Sequence, residues 1–251
     1  MIRTFTSRTF LEGISSTPFA SLNLAYHVGD DSHVVAVNRD RLSEHFGMPI
    51  QYMNQVHGDD VQLIDATVTD PTADALITME PGLGLAVMVA DCIPLLIWDE
   101  AQSVVAAVHV GRRGAINGIV AKVVNQMRAL STSPLVAVMG PHICAECYVV
   151  GEDIAAEFGD HFPSAVLRKN DVTLNLSGAL SGALAELRVS VSEVHSCTVE
   201  DPLFYSYRRD GVTGRFVGVI ALPVKQLPVK QLPVKQLPVK QLPVKQIPEK
   251  Q

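Results

Sequence analysis

Apolar residues in this chain fall mostly into short unbroken runs bounded by glycine, proline, aspartate and asparagine. Runs at 61–64, 74–78, 85–90, 94–98, 104–110, 135–139, 189–193 and 215–221 predict strands. Contiguous apolar residues between turn formers fit a strand that is covered on both faces. Helical spacing instead marks 34–46, where Val34, Val37, Leu42 and Phe46 fall near one face and Gly47-Met48-Pro49 ends the pattern. It also marks 116–130, 154–158 and 176–187. Strands outnumber helices and do not alternate strictly with them, so the pattern predicts a mixed-sheet α/β or α+β domain. Nothing inside residues 1–221 marks a second domain.

The longest apolar stretch, 81–98, contains Asp91 and is cut by Pro81, Gly82, Gly84 and Pro94. It reads as two buried strands and not as a membrane span. The opening MIRTFTSRTF lacks the apolar segment and cleavage pattern of an export signal. From residue 222 the chain becomes LPVKQ five times and then IPEKQ. A proline in every repeat removes one backbone donor and excludes both helix interior and central strand. Residues 222–251 are therefore expected to be an extended, disordered tail outside the 1–221 domain.

Composition and charge narrow the partners. Hydrophobic residues make up 47% of the chain and mean hydropathy is +0.22, which allows a sizeable core. The tail holds six lysines against one glutamate, a net of +5, so a chain of net −6 leaves −11 on residues 1–221. An acidic body argues against nucleic acid as the main partner, though not against a local anion pocket. Four cysteines at irregular spacing do not form a disulfide framework, and with no export signal a reducing cytoplasm is expected. Monomer and homodimer are both compatible with this pattern.

The strongest chemical signal lies at the edges of apolar runs: His57 in NQVHGDD, Cys92 in VADCIPLL and His109 in AAVHVGRRG. One sulfur and two imidazoles suit Zn or Cu, and three protein ligands leave a coordination position open, as catalytic sites do. Separations of 35 and 17 residues match no short zinc motif, so convergence has to come from the fold. Asp91 is costly to bury alone. On a strand it points away from Cys92, where it orients a ligand from behind, pairs with an arginine, or caps a turn. Gly111-Arg112-Arg113-Gly114 and Tyr207-Arg208-Arg209-Asp210 read as paired-arginine turns. Their guanidinium forks suit phosphate or carboxylate, or pair with surplus surface acids. Gly111 is expected to allow a sharp turn after His109. Cys144 and Cys147 form C-x-x-C in PHICAECY, but a second ligand pair at zinc-finger spacing and the βαβ setting of a thioredoxin site are both missing. The zinc deaminase signature is absent, and Gly82-Leu83-Gly84 is too short for a phosphate-binding loop.

In order along the chain, NQVHGDDV, TADALIT, GLGLAVMVADCIPLLI, AAVHVGRRG, GPHICAECYVVG and SCTVEDPLFYSYRRDGVTGR resemble the successive motifs of the YfiH family. That family is also called the laccase-domain or multicopper polyphenol oxidase family. The N-terminal FTSRTF…GISSTPFASLNLAYHVGDD…NRDRL fits too, so the similarity runs from about Phe5 to about Leu222. The resemblance implies a single α/β domain whose β-sandwich-like mixed sheets are flanked by helices. It implies zinc, with copper possible, on His57, Cys92 and His109. It also implies purine nucleoside phosphorolysis of adenosine, inosine and methylthioadenosine, with adenosine deamination, so the small-molecule partners are purine nucleoside and phosphate. Older naming treats members as copper polyphenol oxidases, and some bacterial members are linked to peptidoglycan-precursor editing.

On this reading Arg113, with Arg208 or Arg209, positions phosphate, Asp91 orients groups or exchanges protons, and Asn23 contacts substrate. The sequence departs from the family where HAGWRG becomes HVGRRG: Arg112 stands in place of a tryptophan, while Arg113 keeps the family arginine. The glycine-rich motif after Arg8 is altered and lengthened, with Gly13 and Ser15 matching. Two other classes compete. One is a cysteine hydrolase with Cys92 as nucleophile and His109 as base. The other is a non-enzymatic binding protein whose trio is a closed structural metal site.

Overall fold

A computed structural model describes residues 2–6, 19 and 22–224. The altered motif at Gly13 and Ser15, and the predicted tail beyond residue 224, lie outside the described residues. In chain order the elements are β1 (Arg3–Thr6), α1 (Ser32–Phe46), β2 (Ile50–Gln51), β3 (Val61–Leu63), β4 (Ala75–Thr78), β5 (Gly84–Val89), β6 (Ile93–Asp99) and β7 (Val105–Val110). Then follow α2 (Arg112–Ile116), α3 (Ile119–Leu130), β8 (Leu135–Met139), α4 (Glu152–His161), β9 (Val166–Arg168), β10 (Val172–Leu174), α5 (Leu176–Glu186), β11 (Ser190–Glu193), α6 (Tyr207–Asp210) and β12 (Phe216–Ala221). None of these helices is long and apolar enough to cross a membrane.

The strands form two large sheets. A four-stranded sheet runs β1-β12-β5-β2, and a six-stranded sheet runs β11-β8-β6-β7-β4-β3. The six-stranded sheet is antiparallel through its centre and parallel at both edges, where β11 joins β8 and β3 joins β4. Alternation along each strand sorts the side chains into layers. Leu85, Val87 and Val89 of β5 and Phe216 and Ile220 of β12 meet Leu96 of β6 and Val105 and Ala107 of β7 between the sheets. The opposite faces turn outward: Ala86, Met88, Val217 and Val219 pack with α1, while Ala106, Val108 and Ile97 pack with α3 and α5. The result is the expected α/β domain, a mixed-sheet sandwich with helices outside. Every residue of β4, β5, β7 and β12 is buried, which is why their sequences read as largely apolar runs, with Thr78 and His109 the polar exceptions.

Two helix readings are corrected. The buried side of α1 is Val35, Asn38, Leu42 and Phe46, and Val34 is exposed. Asn38 occupies a core position because its amide donates to the Asn23 carbonyl at 2.9 Å. The helix predicted over 116–130 begins at Ile119 as α3, because Gly118 at φ 76 breaks the path, and Ile116 instead closes the separate α2. The arginine pairs lie on the short helices α2 and α6 and not on simple turns.

Asp99 at the end of β6 is fully buried and gathers the neighbouring elements. It accepts from the Ser103 N–H and hydroxyl (2.7 and 2.6 Å), the Val104 N–H (3.0 Å) and the Ser131 hydroxyl beyond α3 (2.7 Å). Burial opposes its charge, but these donors outweigh burial and hold its pKa below the ordinary carboxylate range. A depressed folded pKa contributes stability that is present above the unfolded value and is lost as pH falls through the folded one. Asp99→Ala is expected to cost about 1–3 kcal/mol at neutral pH, because buried donors lose their acceptor. Thermal melts across the acid range check this: the gap between wild type and variant should close as the pH drops.

Candidate active site

The position of His109 in β7 is set from two sides. It lies opposite Pro94 of β6, and its N–H donates to the carbonyl of Asp74, just before β4, at 2.8 Å. The same register brings the buried Asp74 carboxylate to His109 Nδ1 at 2.8 Å. An ionised carboxylate only accepts, so Nδ1 carries a proton toward Asp74 and Nε2 is the nitrogen left for a ligand, which it can bind once its own proton is displaced. Asp74 also takes the N–H groups of Val56 (3.2 Å), His57 (3.0 Å) and Gly58 (2.6 Å). These bonds hold His57 at φ 57, a left-handed conformation uncommon outside glycine. One carboxylate thus fixes both the ring of His109 and the turn that carries His57.

Cys92 arrives from the other direction. Between β5 and β6 the chain passes from one sheet to the other, and Asp91 turns it at φ 91. Strand alternation does not operate there, so Asp91 and Cys92 line the same cavity and do not point apart. The ligand atoms of His57, Cys92 and His109 all lie within 4.8 Å of one another. The two imidazoles meet edge to face with centroids 4.7 Å apart. Gly111 has an ordinary φ of −89, so a sharp turn is not what requires glycine there. A Cβ at that position meets Cys92 Sγ at 3.2 Å and His57 Cδ2 at 3.5 Å, so close approach to the trio is the reason.

Without a cation the trio holds a thiolate beside a protonated imidazole, and a bound cation would take the place of that proton. Burial disfavours the Cys92 thiolate, but His109 and His57 outweigh it and bring the thiol down to about 6. Burial likewise disfavours a charged His109, but Cys92 and Asp74 outweigh it and raise the ring to about 9. A thiolate already formed near neutral pH, two imidazoles and a carboxylate behind one of them fit Zn²⁺ or copper.

The trio forms one wall of a cavity of about 370 Å³, within the range of small-molecule sites. Tyr148, Tyr207, Met88 and Leu176 add surface, and Arg208 and Arg215 add positive charge. Arg208 is the predicted arginine that the fold delivers. Its N–H donates to Asp91 at 2.7 Å, and its guanidinium lies 5.3 Å from the Tyr148 ring centroid and donates to the Val149 carbonyl. The other Asp91 oxygen takes the Thr198 hydroxyl at 2.6 Å, so one oxygen holds the start of α6 and the other the turn at Thr198.

Three expected contacts are not delivered to the cavity. Arg209 donates to the carbonyls of Thr198 (2.7 Å) and Phe204 (2.9 Å) and pairs with Asp210, so it ties a loop together. Arg113 is exposed on α2 and does not line the cavity, while Arg112 pairs with Glu157 of α4. Asn23 is fully buried with both amide ends occupied. Its Nδ2 donates to the Ala25 carbonyl and Asp30, and its Oδ1 accepts from the N–H of Ala25 and of Arg215 (2.9 Å). Asn23 therefore positions Arg215 instead of meeting a ligand. Arg215, Tyr148, Tyr207, His27 and Asp74 were not singled out by the sequence reading. For Asp74 the signal was a lone carboxylate at the head of an apolar strand, which had to be partnered.

Comparison with known proteins agrees with the motif order. The family of multi-copper polyphenol oxidoreductase laccases matches residues 3–223. A purine nucleoside phosphorylase of Corynebacterium glutamicum is 41% identical over 233 residues, covering 88% of this chain and 94% of that one. The crystal structure of a Neisseria meningitidis protein of the DUF152 family aligns with a TM-score of 0.81 at 33% identity, covering 89% and 95% of the two chains. That of the Bacillus licheniformis protein YfiH aligns with a TM-score of 0.80 at 27% identity, covering 88% and 92%.

Proposed function

The chain belongs to the multi-copper polyphenol oxidoreductase laccase family, which includes YfiH, and from that premise we propose that it is a metal-dependent purine nucleoside phosphorylase. Its proposed substrates are adenosine, inosine and methylthioadenosine with phosphate, and it also deaminates adenosine. The observation that carries this reading is the convergence of His57, Cys92 and His109 in a cavity that also presents Arg208 and Arg215. His57, Cys92 and His109 would hold zinc, with copper as the alternative occupant, and the bound ion supplies Lewis acidity. In phosphorolysis a phosphate oxygen bonds to the anomeric carbon as the C–N bond to the base breaks and the base leaves with a proton. Arg208 and Arg215 hold the phosphate anion by charge, and the two tyrosines wall the nucleoside. Asp91 and Asn23 act through Arg208 and Arg215 respectively. All four cysteines are free, in keeping with a reducing cytoplasm.

The test is the zinc-loaded full chain given adenosine or inosine with phosphate. Free base and ribose 1-phosphate are expected, with inosine also formed from adenosine, and a strong chelator should abolish both. No free base and no inosine across the neutral pH range would overturn the reading. Activity that survives chelation would instead favour a cysteine hydrolase, the alternative that the Cys92 thiolate beside His109 supports. Arg215→Met is expected to raise the KM for phosphate roughly 10- to 100-fold, as loss of charge-assisted hydrogen bonds worth about 1.5–3 kcal/mol implies. The KM for nucleoside should move much less, and equal shifts in both would count against a phosphate role.

A further inference from the structure

Beside the cavity wall, two short turns bring three cysteines and a glutamate together. Cys144 and Cys147 lie in the turn after β8, and Cys197 and Glu200 in the turn that leads toward α6. The C-x-x-C that lacked a second pair in the sequence meets a C-x-x-E 53 residues further along the chain. Their ligand atoms all lie within 4.8 Å of one another, with Cys147 Sγ 3.8 Å from the Glu200 carboxylate. Zinc bonded to sulfur at about 2.3 Å and to oxygen at about 2.1 Å makes a tetrahedron with edges of roughly 3.6–3.8 Å. The four side chains are therefore close to bonding positions.

The backbone around them is built for this arrangement. Each turn closes on its own first residue: the N–H groups of Cys147 and Tyr148 donate to the Cys144 carbonyl (3.2 and 3.1 Å). Those of Glu200 and Asp201 donate to the Cys197 carbonyl (3.2 and 2.8 Å). The turns are joined by a bridge between His142 and Cys197, and the Cys144 N–H is aimed at Cys197 Sγ at 3.3 Å. An N–H directed at sulfur favours thiolate. The Arg209 guanidinium donates to the carbonyls of Thr198 and Val199 within the second turn, which sets a positive charge beside the cluster. All three sulfurs are free of disulfides.

We infer that Cys144, Cys147, Cys197 and Glu200 form a second zinc site, one that is structural. Four protein ligands leave no open position, in contrast to the trio. Zinc displaces the thiol protons on binding, so three thiolates and one carboxylate hold it. Its place in the fold gives it a task. The Ile143 N–H, next to the first turn, donates to the Asp91 carbonyl at 3.0 Å, and the Thr198 hydroxyl of the second donates to the Asp91 carboxylate at 2.6 Å. Zinc there clamps together the two segments that hold the Asp91–Cys92 turn. This inference is independent of the reaction proposed for the cavity.

The experiment is elemental analysis of the full chain purified with zinc, with cobalt replacement read by absorption. About two zinc ions per chain are expected. Cys197→Ser should lose one and keep the other, Cys92→Ala should lose the other and keep this one, and the double variant should hold none. Should Cys197→Ser fail to fold, Glu200→Cys decides: it should keep full zinc content and strengthen the thiolate-to-cobalt band by adding a fourth sulfur. Zinc content in Cys197→Ser equal to wild type, a cobalt band unchanged by Glu200→Cys, or a disulfide among these cysteines in zinc-replete protein would each overturn it.

Discussion

Cys92→Ala is expected to lower metal affinity by about 10²–10³-fold and to remove nucleoside phosphorolysis with it. The size follows from zinc binding free energies of about 10–16 kcal/mol spread over four ligands, or roughly 2.5–4 kcal/mol for each. Cys92 is the only sulfur of the trio, and its thiolate also supplies part of the charge that keeps His109 protonated when no cation is bound. Its removal therefore changes both the donor set and the proton distribution. The fold should survive, because the side chain lost is small and the strands on either side, β5 and β6, are held by pairing that Cys92 does not make. Titration against a competing chelator measures the affinity, and the nucleoside assay measures the rest. Cys92→Asp separates the two readings of this residue. A carboxylate ligates zinc but is no thiol nucleophile, so metal content and part of the activity should return. Restored metal with no activity would point to a nucleophilic cysteine.

How far the sequence carried depends on what each residue's partners are. The long strands were legible because burial on both faces leaves no polar interruption, as in β5 and β12. The short ones, β2, β9 and β10, were not: two or three residues are too few to form a pattern that can be distinguished from loop. Gly118 broke a helix that apolar spacing alone carried straight through. Motif order, and not spacing, points to His57, Cys92 and His109. Their convergence depends on the crossing between sheets at residues 90–92 and on the register of β4 against β7, neither of which spacing reveals. The arginines show the same limit. Arg208, Arg209 and Arg113 look equivalent as residue types, yet one lines the cavity, one ties carbonyls and one faces solvent. The cluster of Cys144, Cys147, Cys197 and Glu200 was half visible, since only one of its two turns carries a recognised spacing.

Asp74→Asn is the sharper test of how the site is held. The substitution keeps size and shape but turns one oxygen into a donor, and four N–H groups already point at this carboxylate: those of Val56, His57 and Gly58 and the ring of His109. If the new amide takes the place of Oδ2, the N–H groups of Val56 and Gly58 on either side of His57, which help hold it at φ 57, lose their acceptor. If it takes the place of Oδ1, the His57 N–H loses its acceptor, and the His109 ring must turn its lone pair at Nδ1 toward the amide and place its proton on Nε2, the nitrogen offered to the metal. Either way one histidine is lost to the trio. Zinc affinity is expected to fall about 10- to 100-fold, the usual range for a partner behind a ligating histidine. Leaving a buried donor unpaired adds about 1–3 kcal/mol of lost stability. Chelator competition and thermal melts on the same preparation separate these effects. Excess zinc should recover much of the activity of Asp74→Asn, because the ligands remain, whereas Cys92→Ala should recover little. Wild-type zinc affinity in Asp74→Asn would mean that the trio is ordered by the strands alone, and that the carboxylate behind His109 contributes nothing to the metal.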